Sequence, residues 1–126
     1  MSKTILLIED DQFLSALLKN RLVKDGLVVL AAKDSDEAMA FLQSNQQVDL
    51  ILMDIILPGK SGFEAMEQIA GDPVASRIPT MVISNLGQET DIARGKQLGA
   101  VEYFIKAQTS IDDLIKRIKE FLKVSN

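Results

Sequence analysis

The 126-residue sequence has no cysteine, no histidine and no tryptophan, and it has only one tyrosine and three prolines. Each absence removes a class of chemistry. Without cysteine there are no disulfides, no thiolate metal sites and no thiol nucleophile. Without histidine there is no common zinc ligand, no Ser-His triad and no self-phosphorylating histidine. Long apolar runs are missing as well. The longest, Leu27–Ala32, falls far short of the ~18 residues a spanning helix needs. Lys3 precedes only the short run Ile5–Ile8, less than a signal-peptide core of ~7–15 residues. Basic residues do not dominate: 14 Lys and Arg against 18 Asp and Glu give a formal net charge of −4. That balance argues against non-specific nucleic-acid binding, which relies on basic surface. The expectation is a soluble, cytoplasmic chain with no direct nucleic-acid contact and no membrane attachment.

What is present is an alternation. Short apolar runs rich in Ile, Leu, Val and Met occur at Thr4–Ile8, Leu27–Ala31, Asp49–Met53, Thr80–Ile83 and Val101–Ile105. Near-continuous apolar strands are expected where helices cover both faces of a parallel sheet. Helical spacing fills the gaps. In the last segment Ile111, Leu114, Ile115, Ile118, Phe121 and Leu122 share one face, which leaves Lys116, Lys119 and Lys123 expected to face water. Phe13, Phe41, Phe63, Phe104 and Phe121 are expected in the core or in helix packing. Ser61 with Glu64, Asp34 with Glu37 and Ser110 with Asp113 have the spacing of helix starts. Gly26 and Gly99 stand where left-handed helix stops belong. Right-handed crossovers then give an α/β fold, a (βα)5 doubly wound parallel five-stranded sheet. A chain of 13.9 kDa suits one domain, here residues 1–126 with no linker, repeat or output domain.

Ligands of such sheets bind beyond the carboxyl ends of the strands. The first run ends in Glu9-Asp10-Asp11, the third in Asp54, the fourth in Ser84-Asn85 and the fifth in Lys106. Carboxylates gathered in one crevice repel: two unit charges ~4 Å apart cost about 4 kcal/mol at an effective dielectric near 20. An oxygen-only cluster of this kind calls for a cation such as Mg²⁺ rather than zinc. Blander readings stand beside this one. Asp10 and Asp11 could cap the first helix, Ser84 could close a turn, Lys106 could be a surface lysine, and Tyr103 could be an amphipathic edge aromatic. Asp54 is harder to explain away, since it lies between two apolar stretches and burying an unpaired acid is costly.

Four segments carry a resemblance: Ile-Leu-Leu-Ile-Glu-Asp-Asp at 5–11, the stretch from Asp49 to Glu64, Pro79–Ser84 and Gly99–Lys106. In this order and at these separations the chain resembles the receiver domain of bacterial two-component response regulators, from Lys3 to about Leu122. The resemblance implies a flavodoxin-like strand order 2-1-3-4-5. It implies that Asp54 is the phosphoacceptor for a sensor histidine kinase or phosphotransfer protein. Mg²⁺ would be held by Asp10 and Asp54, by Glu9 through water, and by the backbone carbonyl of Ile56. Ser84 would hydrogen-bond a phosphoryl oxygen and Lys106 would pair with the phosphoryl group. Tyr103 would report the switch, repacking the face of the fourth helix, fifth strand and fifth helix for a downstream protein target. Catalysis would be confined to the chain's own phosphorylation and dephosphorylation, in a monomer or a phosphorylation-dependent homodimer in which Arg94, Glu102 and Lys116 could pair.

Two positions depart from that pattern. Ala107 follows Lys106 where the family usually has a cis proline, so a trans loop is expected. Asn85 follows Ser84 where a small residue is usual, and could narrow phosphoryl access or add a hydrogen bond there. Ile56 and Leu86, both apolar, are expected to shield the acyl phosphate from water. Three alternatives compete. A flavin module would need a hydroxyl- and glycine-rich loop where Glu9-Asp10-Asp11 stands. A Mg²⁺-dependent aspartyl phosphohydrolase would need a second acid at Gln12. A pseudo-receiver would bind partners without phosphorylation.

Overall fold

In the computed structural model, which describes residues 2–44 and 47–124, the apolar runs form β1 (Thr4–Ile8), β2 (Val28–Ala32), β3 (Leu50–Met53), β4 (Thr80–Ser84) and β5 (Ala100–Ile105). Between and after them lie α1 (Gln12–Lys24), α2 (Ser35–Gln43), α3 (Gly62–Ala70), α4 (Glu89–Gln97) and α5 (Ile111–Leu122). The strands pair in parallel in the order β2-β1-β3-β4-β5, as expected from the resemblance. Their bounds shift by at most a residue from the apolar runs. Asp49, for instance, stands just before β3, where its carboxylate accepts the Thr4 N–H at 2.8 Å.

Alternation along the strands divides the core in two. Leu6, Ile8, Ile51, Met53 and Val82 face α2 and α3, where Ala38, Met39, Phe63 and Met66 meet them. Ile5, Leu7, Leu50, Leu52, Met81 and Ile83 face α1 and α5, against Leu18, Leu22, Leu114 and Ile118. β1, β3 and β4 are covered on both faces and are almost wholly buried, whereas the edge strand β2 exposes Val28.

The helix boundaries follow from their capping residues. Ser61 and Glu64 close a reciprocal capping box on α3, Asp34 accepts the Glu37 N–H on α2, and Ser110 accepts the Asp113 N–H on α5. Gly26 and Gly99 take positive φ just past α1 and α4, a conformation that costs glycine little. Among the described residues no helix is long and apolar enough to cross a membrane.

Two packing expectations need correction. Phe13 is 80% exposed rather than in the core, because it shares a face of α1 with the exposed Ala16 and Asn20. Lys119 does not face water. It is 8% exposed, and its ammonium reaches Asp25 at 3.4 Å while the aliphatic stem packs.

Candidate functional site

Register brings the acids together. Ile8 pairs with Met53 across β1 and β3, so Glu9 and Asp54, one residue further on, leave the sheet side by side. Asp54 N–H still donates to Ile8 O at 2.9 Å, which fixes the height at which its side chain emerges. Across β4 and β5, Ser84 pairs with Ile105, so Lys106 emerges from the same rim.

Lys106 Nζ lies 2.8 Å from Asp54 Oδ2, to which it donates, and 2.8 Å from Glu9 Oε1. The angle of the second approach leaves Glu9 Oε1 without a hydrogen-bond partner although the side chain is buried. The remaining oxygens are held by backbone. Glu9 Oε2 accepts the Asp11 N–H at 3.1 Å and Asp54 Oδ1 accepts the Ile56 N–H at 3.2 Å.

Burial pushes the Glu9 carboxyl up to about 6 and the Asp54 charge adds to this, against the Lys106 ammonium and the Asp11 N–H. For Lys106, burial pulls the pKa down, but the close contacts to Asp54 and Glu9 and their negative charges outweigh it and hold the ammonium above its ordinary value. The site is thus a charge cluster in which one cation faces several acids.

Asp10 is exposed at the mouth. Glu9, Asp10 and Asp54 each present a carboxylate oxygen within 4.8 Å of the others. Three hard carboxylate oxygens set against a single ammonium suit a divalent cation of the Mg²⁺ type. Asp11 does something else: its Oδ1 accepts the Phe13 and Leu14 N–H groups at 3.0 and 3.1 Å and caps α1. Ile56 is 55% exposed on the rim and Leu86 is half-buried, so any shielding by Ile56 comes from the outside of the pocket.

Ser84 is fully buried at the end of β4, where its Oγ accepts the Leu86 N–H at 3.2 Å and keeps its own proton free to donate. The Tyr103 hydroxyl donates to the Leu86 carbonyl at 2.6 Å, and its pKa is raised by burial and by the charges of Asp91 and Asp54. The two departures from the family pattern meet each other. Asn85 Oδ1 accepts the Ala107 N–H at 3.2 Å, a donor that proline would lack, and no cis peptide bond occurs among the described residues. Sequence reasoning missed Gly95, against which the Tyr103 ring lies. The available signal was a glycine inside an otherwise helical segment.

Comparison with known proteins places these features in context. The family model for the response regulator receiver domain matches residues 5–119. Protein PilH of Pseudomonas aeruginosa is 35% identical over 118 residues, 94% of this chain and 96% of PilH. Transcriptional regulatory protein CpxR of Klebsiella pneumoniae is 34% identical over 122 residues, 97% of this chain. The chain spans about half the length of CpxR, 50%. Among solved structures, the non-phosphorylated HemR receiver domain from Leptospira biflexa superposes with a TM-score of 0.88 at 29% identity, over 99% of this chain and 98% of the other. The phosphorylated cyanobacterial phytochrome response regulator RcpA superposes with a TM-score of 0.87 at 31% identity, over 100% and 98%.

Proposed function

The chain belongs to the response regulator receiver domain family of two-component signalling, and on that premise we propose that Asp54 accepts a phosphoryl group from a histidine kinase or phosphotransfer protein. The observation that carries this reading is the single ammonium of Lys106 held 2.8 Å from oxygens of both Asp54 and Glu9. A buried acid so paired has no simple packing role, and the pairing orients it.

In the transfer, an Asp54 carboxylate oxygen forms a bond to phosphorus while the bond from phosphorus to the donor's imidazole nitrogen breaks, and the nitrogen keeps the electron pair. Such a step needs in-line positioning and neutralised equatorial oxygens more than covalent help. Mg²⁺, when held by Glu9, Asp10, Asp54 and the Ile56 carbonyl, supplies part of that neutralising charge. Lys106 supplies the rest by turning from carboxylate to phosphoryl oxygen, and Ser84 donates its free hydroxyl proton. The acyl phosphate adds charge and acceptor oxygens at the rim. Drawing Ser84 toward them loosens its bond from Leu86 N–H, and through the Leu86 carbonyl the change reaches Tyr103. The signal is then read on the surface of α4, β5 and α5 by a downstream protein.

Intact mass after incubation with acetyl phosphate and Mg²⁺ tests the reading. A gain of one phosphoryl group in the wild type, absent from Asp54→Ala, is the expected result. No gain in the wild type would point instead to a pseudo-receiver. Ile56 and Leu86 are apolar at the pocket's mouth, so the double variant Ile56→Asn, Leu86→Glu is expected to lose its phosphoryl group faster than wild type, measured as the decay of that mass peak.

A further inference from the structure

Gly95 lies in the interior of α4, where glycine costs helix stability relative to alanine. It is also the only buried residue of that helix, so the point of closest approach of α4 to the sheet is a residue without a side chain. A Cβ on Gly95 would stand 2.8 Å from Cδ2 and 3.0 Å from Cε2 of Tyr103. The tyrosine ring therefore occupies the space that any side chain at position 95 would need.

The ring is held at its other end as well, by the 2.6 Å hydrogen bond from its hydroxyl to the Leu86 carbonyl. The helix is tied down beside it. The Arg94 guanidinium sits 4.5 Å from the centroid of the Phe63 ring and 3.5 Å from Glu67, which links α4 to α3. The register shift between Thr80 and Met81 inserts an extra residue of β5 and aligns Tyr103 with Val82, on the same face of the sheet as Phe63. Three independent features thus converge on one ring position.

We infer that Gly95 is a notch that presets Tyr103 inward in the unphosphorylated protein, so that much of the α4-β5-α5 surface offered to a partner exists before Asp54 is modified. The meaning of that surface rests on the receiver reading, whereas the notch does not. Phosphorylation then acts on a switch already biased toward its inward side, and a residue with a Cβ at 95 reverses the bias. Gly95 is a positioning residue for Tyr103 and touches none of the reacting groups.

The test uses a convenience of the composition: Tyr103 is the only tyrosine, so incorporated fluorotyrosine gives one fluorine NMR probe. In the full chain without phosphodonor, the dominant signal is expected to resist broadening by a soluble paramagnetic agent. Gly95→Ala is expected to lower the inward-to-outward ratio about tenfold, in line with the cost of overpacking, and to produce a signal that broadens. Alanine is the better helix former, so this variant folds, and a circular-dichroism melt verifies that. Ala93→Gly, at an exposed site of the same helix, changes helix propensity alone and is expected to leave the signal unmoved. An outward signal in the wild type, or an unchanged one in Gly95→Ala, overturns the inference. No arm involves phosphate transfer, so a failure of Asp54 to become phosphorylated would strike the functional reading and leave these outcomes intact.

Discussion

Glu9 is 1% exposed, and its burial is the largest reason its pKa is raised to about 6 from 4.5. The folded state therefore binds this proton more tightly than the unfolded chain does. The contribution to stability is present below about 4.5 and is lost as pH rises through about 6, a difference of about 2 kcal/mol. In metal-free buffer near neutral pH, Glu9→Gln is expected to be more stable than wild type by about 1–2 kcal/mol, since it keeps the shape without the charge. Urea unfolding across a pH series should show that gap closing toward about pH 4.5. The same proton competes with a cation, so calorimetric Mg²⁺ affinity is expected to weaken as pH falls through about 6. Asp54 was legible in the sequence for a related reason, because an acid between Met53 and Ile55 demands a partner. Gly95 was not, because nothing near it in the chain reveals that an aromatic ring from β5 lies against it.

Among the elements, the central strands were the most readable. Helices on both faces of β1, β3 and β4 require apolar residues at every position, and continuous runs announce that. The β5 strand was less so. Its register shift beside Thr80 decides which face Tyr103 joins, and a shift of one residue leaves no mark on composition. Helix caps lie between these cases. Asp11 could be a cap or a ligand by spacing alone, and the structure shows it accepting the Phe13 and Leu14 N–H groups while Asp10 turns its carboxylate to the acidic group. The two neighbours are therefore expected to separate on substitution. Asp11→Ala should lower stability by about 1 kcal/mol and change Mg²⁺ affinity less than about twofold. Asp10→Ala should leave stability nearly unchanged and lose most of that affinity. Urea unfolding and calorimetric titration of each variant check the pair, and a swap of the two phenotypes would reverse the assignment of roles.

For the whole molecule, two apolar layers clamp a sheet whose carboxyl rim gathers unscreened acids, so stability and ion binding are linked. Elsewhere some of the charges are paired within the fold. Arg94 engages Glu67 and Phe63, and Glu102 pairs with Arg117, so two of the three residues considered for ion pairs across a homodimer already have partners. Among the described residues Lys106 is the one cation paired with the rim acids, and a divalent cation that binds the native state alone must raise the unfolding free energy by mass action. At about 100 times its Kd, Mg²⁺ is expected to add about 2.7 kcal/mol without altering the denaturant slope, which reports surface exposed on unfolding. In Asp10→Ala that gain should vanish. Lys106→Ala should behave in the opposite sense: less stable than wild type without metal, because Glu9 and Asp54 face each other uncompensated, and stabilised more by the same Mg²⁺ concentration. Urea titrations of the three proteins with and without Mg²⁺ measure all of this. Equal gains in wild type and Asp10→Ala would put the ion somewhere other than the rim, and a smaller gain in Lys106→Ala would mean that the ammonium helps to build the site rather than competing with the metal for it.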